Sequence, residues 1–147
     1  MIDGVILTPL KSIKTDKGDV YHALKCTDNG YFGFGEAYFS EIVPGAIKGW
    51  KRHNRMTLNL IVINNAVGFV IYDDRADSPT KGCYQEIVLS KKDNYQRLTI
   101  APGLWVAFYC ASKQTAMLMD IIPEPHNPDE ADRLDISEIK YKFQCTF

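Results

Sequence analysis

Apolar positions along the chain mostly alternate with polar ones instead of recurring every third or fourth residue, which is the pattern of strands that bury one face. The clearest run is Met56-Thr-Leu-Asn-Leu-Ile-Val-Ile, then Asn64-Asn65, then Val67-Gly-Phe-Val-Ile-Tyr, which reads as a hairpin around a tight turn. Further strands are expected at 4–13, 19–26, 33–39, 46–53, 84–89, 97–100, 104–110, 116–121 and 138–143, nearly all separated by turn residues. About ten short strands at spacings near ten residues suit an all-β sandwich or jelly roll. Pro123, Pro125 and Pro128 mark a loop, because closely spaced prolines exclude a helix or a central strand; it is placed to cover one end of the barrel. Residues 129–134 are the one stretch expected to make a helical turn.

Composition narrows the class. The 147 residues fit a single domain, 1–147, with 46% hydrophobic and 24% charged residues, so disorder, collagen-like repeats and a coiled coil are poor readings. With 17 Lys+Arg against 18 Asp+Glu the net charge is −1, and no bulk electrostatic attraction favours nucleic acid or an acidic membrane. No apolar run approaches the roughly 18 residues that cross a bilayer, and residues 1–10 lack the features of a cleavable signal, so a cytoplasmic protein is expected. Cys26, Cys83, Cys110 and Cys145 are scattered without a metal-finger spacing and read as free thiols.

The densest polar cluster is Lys48-Gly-Trp-Lys-Arg-His-Asn-Arg55, five basic or imidazole groups in eight residues. On a strand over 46–53, Lys51 and His53 share one face about 7 Å apart, at a rise of about 3.3 Å per residue. Lys48 falls on the opposite face unless Gly49 makes a bulge, for which an isolated glycine inside a strand is a common signal. Inward cations would suit an anionic ligand, or an enolate oxygen formed when a proton is removed beside a ketone. The other reading is a solvated edge strand, where lysine blocks pairing. His22 and His126 stand alone in a strand and a proline-rich loop, and no His-x-His occurs, which disfavours a metal barrel. Lys17-Gly18 suits a phosphate contact as well as a solvated turn. No Gly-x-Gly-x-x-Gly, Walker loop, Gly-x-Ser-x-Gly or His-Glu-x-x-His is present.

Three stretches, Ala46-Ile-Lys-Gly-Trp-Lys-Arg-His, Val70-Ile-Tyr-Asp-Asp-Arg-Ala-Asp-Ser-Pro-Thr80 and Leu98-Thr-Ile-Ala-Pro-Gly103, together resemble the dTDP-4-dehydrorhamnose 3,5-epimerase family of the cupin superfamily in order and spacing. Thr15-Asp-Lys-Gly-Asp-Val-Tyr is similar to that family's Asp-x-Arg-Gly-x-Phe segment, so the resemblance spans about residues 4–125. The resemblance implies a double-stranded β-helix jelly roll, a cupin-like barrel, that forms a homodimer. It further implies action without metal or other cofactor on a nucleotide-linked 4-keto-6-deoxy sugar, in polysaccharide or glycan biosynthesis.

Residue by residue, the family's substrate-binding Arg becomes Lys48 and its catalytic-base His falls at Lys51, while His53 stands where the family has Gln. The phosphate-binding Arg becomes Lys17, with His22 pointing the same way; Glu36 and Tyr38 lie on the strand that lines the family's sugar-nucleotide site. The family's second lysine falls near Asn59 and its catalytic Tyr near Met119. Its acidic partner of the base lies in a longer C-terminal region, and Asp73 is the nearest substitute, unless it merely starts a turn. The expectation is therefore an epimerase-like enzyme with His53 as proton-transferring base and Lys48 or Lys51 stabilising an enolate. Lys17, His22, Glu36, Tyr38, Arg52, Asn59 and Asp73 are the expected substrate-binding residues. A non-catalytic sugar-nucleotide or carbohydrate-binding cupin and a 3,4-ketoisomerase are the alternatives.

Overall fold

The computed structural model describes residues 1–144; Cys145, read above as a free thiol, lies outside them. The chain forms β1 (Val5–Pro9), β2 (Ser12–Ile13), β3 (Val20–Tyr21), β4 (Glu36–Ile42), β5 (Ile47–His53), β6 (Leu58–Asn64), β7 (Ala66–Tyr72), β8 (Tyr84–Ser90), β9 (Gln96–Ile100), β10 (Trp105–Cys110), β11 (Ala116–Ile122) and β12 (Ala131–Arg133). Two five-stranded antiparallel sheets result, ordered β1-β9-β6-β11-β4 and β12-β5-β10-β7-β8, with β2 and β3 paired separately. From β4 onward the chain changes sheet at nearly every step, and only β7 and β8 pair in sequence. This is the jelly-roll connectivity expected from the strand pattern.

The hairpin expected at Asn64-Asn65 is a corner instead. The turn is tight, with Asn65 in the left-handed region at φ 55° and its side-chain amide donating to Thr115 O, but β6 and β7 enter different sheets. Leu58, Leu60 and Val62 of β6 and Val67, Phe69 and Ile71 of β7 enter one core between the sheets, where β6 lies across from β8 and β7 across from β11 instead of the two runs pairing edge to edge.

Two further expectations change. Residues 129–134 contain only a short 3-10 turn, Pro128–Glu130, capped by Asn127, before the chain extends into β12. Residues 138–143 form no strand. Ile139, Tyr141 and Phe143 instead lie over Trp50, Trp105 and Tyr109 on the outer face of the second sheet, where aromatic burial outweighs edge pairing. This strap is tied at Leu134, which exchanges two backbone hydrogen bonds with Trp50, each 3.1 Å.

The outer face of the first sheet is closed by a polar clasp. Arg97, fully buried on β9, donates to Asp28 at 3.0 Å and to the carbonyls of Asn29 and Ala23, while Asn59 donates to Gly30 O and accepts from Thr99. A buried charge is tolerated only when its donors are satisfied, as they are here by the 23–30 loop.

Gly49 makes the bulge. Lys51 lies opposite Val106 and Lys48 opposite Phe108, so two residues of β5 face Ala107 alone. At φ 134° an added Cβ would stand 2.7 Å from the Cα and Cβ of Ala107, backbone that cannot yield. Gly49→Ala is expected to cost about 3 kcal/mol, from overpacking and backbone strain, read as a lower urea midpoint.

Candidate active site

Between the sheets lies a cavity of about 410 Å³, within the usual range for small-ligand sites. One wall comes from Tyr38 and Ser40 on β4, Leu58 and Leu60 on β6, and Leu118 and Asp120 on β11. The facing wall comes from Lys48, Lys51 and His53 on β5, Val106 and Phe108 on β10, and the segment 133–136. Strand alternation turns Lys51 and His53 inward, and the Gly49 bulge adds Lys48 to the same face, where its Nζ donates to Ser40 Oγ at 3.0 Å.

His53 is buried, and its Nδ1 hydrogen-bonds the carboxylate of Glu130, itself fully buried at the end of the 3-10 turn. Glu130 Oε1 also accepts the backbone N–H groups of Arg55 (2.7 Å) and Met56 (2.9 Å). Burial raises the Glu130 pKa, but the Arg55, His53 and Met56 donors outweigh it and hold the carboxyl down to about 2. Burial also pushes His53 below the ordinary histidine value, against the upward pull of Glu130 and with help from the charge of Lys51. The result is a neutral imidazole at pH 7, oriented by a carboxylate, with Nε2 left for a ligand.

Opposite stands a second acid pair. The Tyr38 hydroxyl donates to Asp120 Oδ2 at 2.8 Å, and Asp120 Oδ1 is the buried side-chain polar atom without a partner among the described residues. Burial raises Asp120 to about 6, despite the Tyr38 hydrogen bond and the charge of Lys51. Tyr38 is raised as well, first by burial and then by the Asp120 charge. Lys51 is lowered by burial and by the charge of Arg133. A pocket lined by two lysines, a neutral histidine and a carboxyl that titrates near 6 is suited to moving protons and to stabilising an oxyanion.

The other expected site residues lie elsewhere. Asp73 is not the acidic partner of the base: fully buried, it gathers Arg75, Ser78 and Thr80 around its carboxylate and closes the turn after β7. The Asp-x-Arg-x-x-Ser-Pro-Thr run is therefore a turn clamp. Asn59 alternates with the inward Leu58 and Leu60 and faces the outer clasp. Arg52 faces away from the cavity, paired with Asp132 (2.7 Å) and Asp74 (3.3 Å) and lying over the Trp105 ring. Glu36 accepts the His126 N–H at 2.7 Å at the start of β4 and does not line the cavity. Lys17 is exposed in the β2–β3 turn, and His22, just after β3, exchanges its backbone groups with Lys11 and Tyr95; neither lines the cavity of its own chain. Among the described residues no three His, Cys, Asp or Glu side chains converge as a metal set, and no helix is long and apolar enough to cross a membrane.

Two facing antiparallel sheets around a cavity lined by inward side chains define a cupin-like jelly-roll barrel. No protein-family model matches the chain. It is 34% identical to the solved dTDP sugar isomerase of Desulfovibrio desulfuricans G20, with a TM-score of 0.91 over 96% of this chain and 91% of that one. The spore coat polysaccharide biosynthesis protein SpsL of Bacillus subtilis is 27% identical over 132 residues, 90% of this chain and 87% of that protein. The probable low-salt glycan biosynthesis epimerase Agl13 of Haloferax volcanii is 29% identical over 98 residues, 64% of this chain and 62% of that protein. The chain belongs to the sugar-nucleotide epimerase and isomerase family of cupins that includes dTDP-4-dehydrorhamnose 3,5-epimerase.

Proposed function

We infer that the protein removes a proton beside the ketone of a nucleotide-linked 4-keto-6-deoxy sugar, as an epimerase in glycan or polysaccharide biosynthesis. The observation that carries this reading is the buried His53–Glu130 pair in a cavity that also holds two lysines. His53 Nε2 takes the carbon-bound proton, and the electron pair moves to the ketone oxygen as an enolate. Lys51 and Lys48 stabilise that oxygen, a term worth about 2.7–4 kcal/mol per well-placed donor. Tyr38 lines the same cavity. Lys17 and His22 reach a sugar nucleotide only if a second copy brings its β2–β3 hairpin to this cavity; a homodimer, in which the edge strand β1 is free to pair, is part of the reading.

The test is incubation with dTDP-4-keto-6-deoxyglucose in deuterated water, following the recovered sugar by mass and proton spectra. Deuterium at C3 or C5 is the expected result; binding without exchange would leave a binding protein. A 3,4-ketoisomerase is the second reading, favoured by the 34% identity to a protein described as a dTDP sugar isomerase. It would move the ketone to C3, which carbon spectra distinguish from inversion.

A further inference from the structure

Met119, near which the resemblance places a catalytic tyrosine, is turned away from the cavity by alternation: it pairs with Phe39 on β4 and Ile61 on β6 and borders a different, outer groove. Its neighbour Asp120 points inward instead, 7% exposed, on the sheet that faces His53. One carboxylate oxygen is held by Tyr38, which fixes the plane of the group, while the other is fully buried beside the cavity and has no partner among the described residues. An unsatisfied buried carboxyl oxygen is costly unless a ligand group or a proton meets it.

We propose that Asp120 is the proton donor that acts from the face of the sugar opposite His53, so that the two side chains together invert the carbon beside the ketone. This rests on the reading of the protein as a keto-sugar enzyme and adds the group that makes it an epimerase. In the step, His53 Nε2 takes the proton from carbon and the C–H pair becomes the enolate. The enolate collapses to the ketone as its carbon takes the proton from the Asp120 carboxyl. His53 is left protonated and Asp120 ionised, and water resets both by accepting one proton and supplying the other. Nothing is oxidised or reduced. The groups that set the Asp120 charge are Tyr38 and Glu36 on β4 and Lys51 across the cavity on β5, while β6 presents only Leu60 beside it. Burial outweighs Lys51 and leaves the acid form populated near pH 6.

The test separates exchange from inversion. In deuterated water with dTDP-4-keto-6-deoxyglucose, wild-type protein is expected to give deuterium with inverted configuration. Asp120→Asn, which keeps an acceptor for Tyr38, is expected to retain exchange through His53 alone with retained configuration, its inversion falling ~10²-fold or more relative to exchange. In wild type the inversion-to-exchange ratio is expected to fall as pH rises above about 6, a readout that does not depend on the variant folding. An unchanged ratio in Asp120→Asn, with only KM raised, would reduce Asp120 to a hydroxyl-binding group and overturn the proposal. Retained configuration with the ketone moved to C3 in wild type would overturn it as well, while leaving proton abstraction intact. Absence of exchange in wild type would overturn the functional reading and this one together.

Discussion

Replacing His53 with asparagine is expected to lower deuterium exchange beside the ketone by about 10²–10⁴-fold, the usual contribution of a positioned general base. Asparagine retains an N–H donor for Glu130, so the fold and binding of dTDP, followed by circular dichroism and calorimetry, should change little. The same base predicts the pH profile. Because burial depresses the His53 pKa, the reactive neutral form persists to lower pH, and the acid limb of kcat/KM for exchange should fall below the ordinary histidine value of 6.5. Exchange at the wild-type rate in His53→Asn would remove the base assignment.

Glu130 carries the second large effect, on both stability and rate. Glu130→Ala leaves the buried Met56 N–H, the half-buried Arg55 N–H and an imidazole without an acceptor, and is expected to destabilise the protein by about 3–5 kcal/mol, seen in denaturant unfolding. Glu130→Gln separates the two roles. Its carbonyl still accepts from Arg55 and Met56, but its amide meets His53 Nδ1 with a donor and forces the proton onto Nε2, the nitrogen that must abstract. A rate loss of about 10⁴-fold with modest destabilisation is the expected signature of the wrong tautomer. The acid stability follows the same group: its folded pKa of about 2 lies below the ordinary 4.5, so its contribution is complete above about pH 4.5 and is lost as pH falls toward 2. A Glu130→Gln protein that kept the full acid dependence would contradict this.

The strands were legible because alternation reports burial on one face, and the same rule placed Lys51 and His53 together. The bulge was legible too, since a glycine between residues of opposite facing is a local signal. Glu130 was not, because its meeting with His53 depends on β12 pairing with β5 across 77 residues, and no local period records that register. Asp73 offers the same charge in the turn after β7, but the hydroxyls of Ser78 and Thr80 that close on it mark a self-contained turn. For Asn59 the resemblance and the local pattern disagree, and the inward alternation of Leu58 and Leu60 is what decides its facing. Asp120 did leave a trace, a single acid inside the apolar run Met117-Leu-Met-Asp-Ile-Ile, which a buried strand tolerates only for a reason.

The order in which the chain is made gives the position of Glu130 a consequence during synthesis. His53 leaves the ribosome 77 residues ahead of its carboxylate, an interval of roughly 4–15 s at ordinary elongation rates. Through that interval a nascent chain can assemble β1 to β11 while Trp50 lies uncovered and the histidine has no anchor. Emergence of residues 130–143 then closes the aromatic face and gives the imidazole its carboxylate in one event.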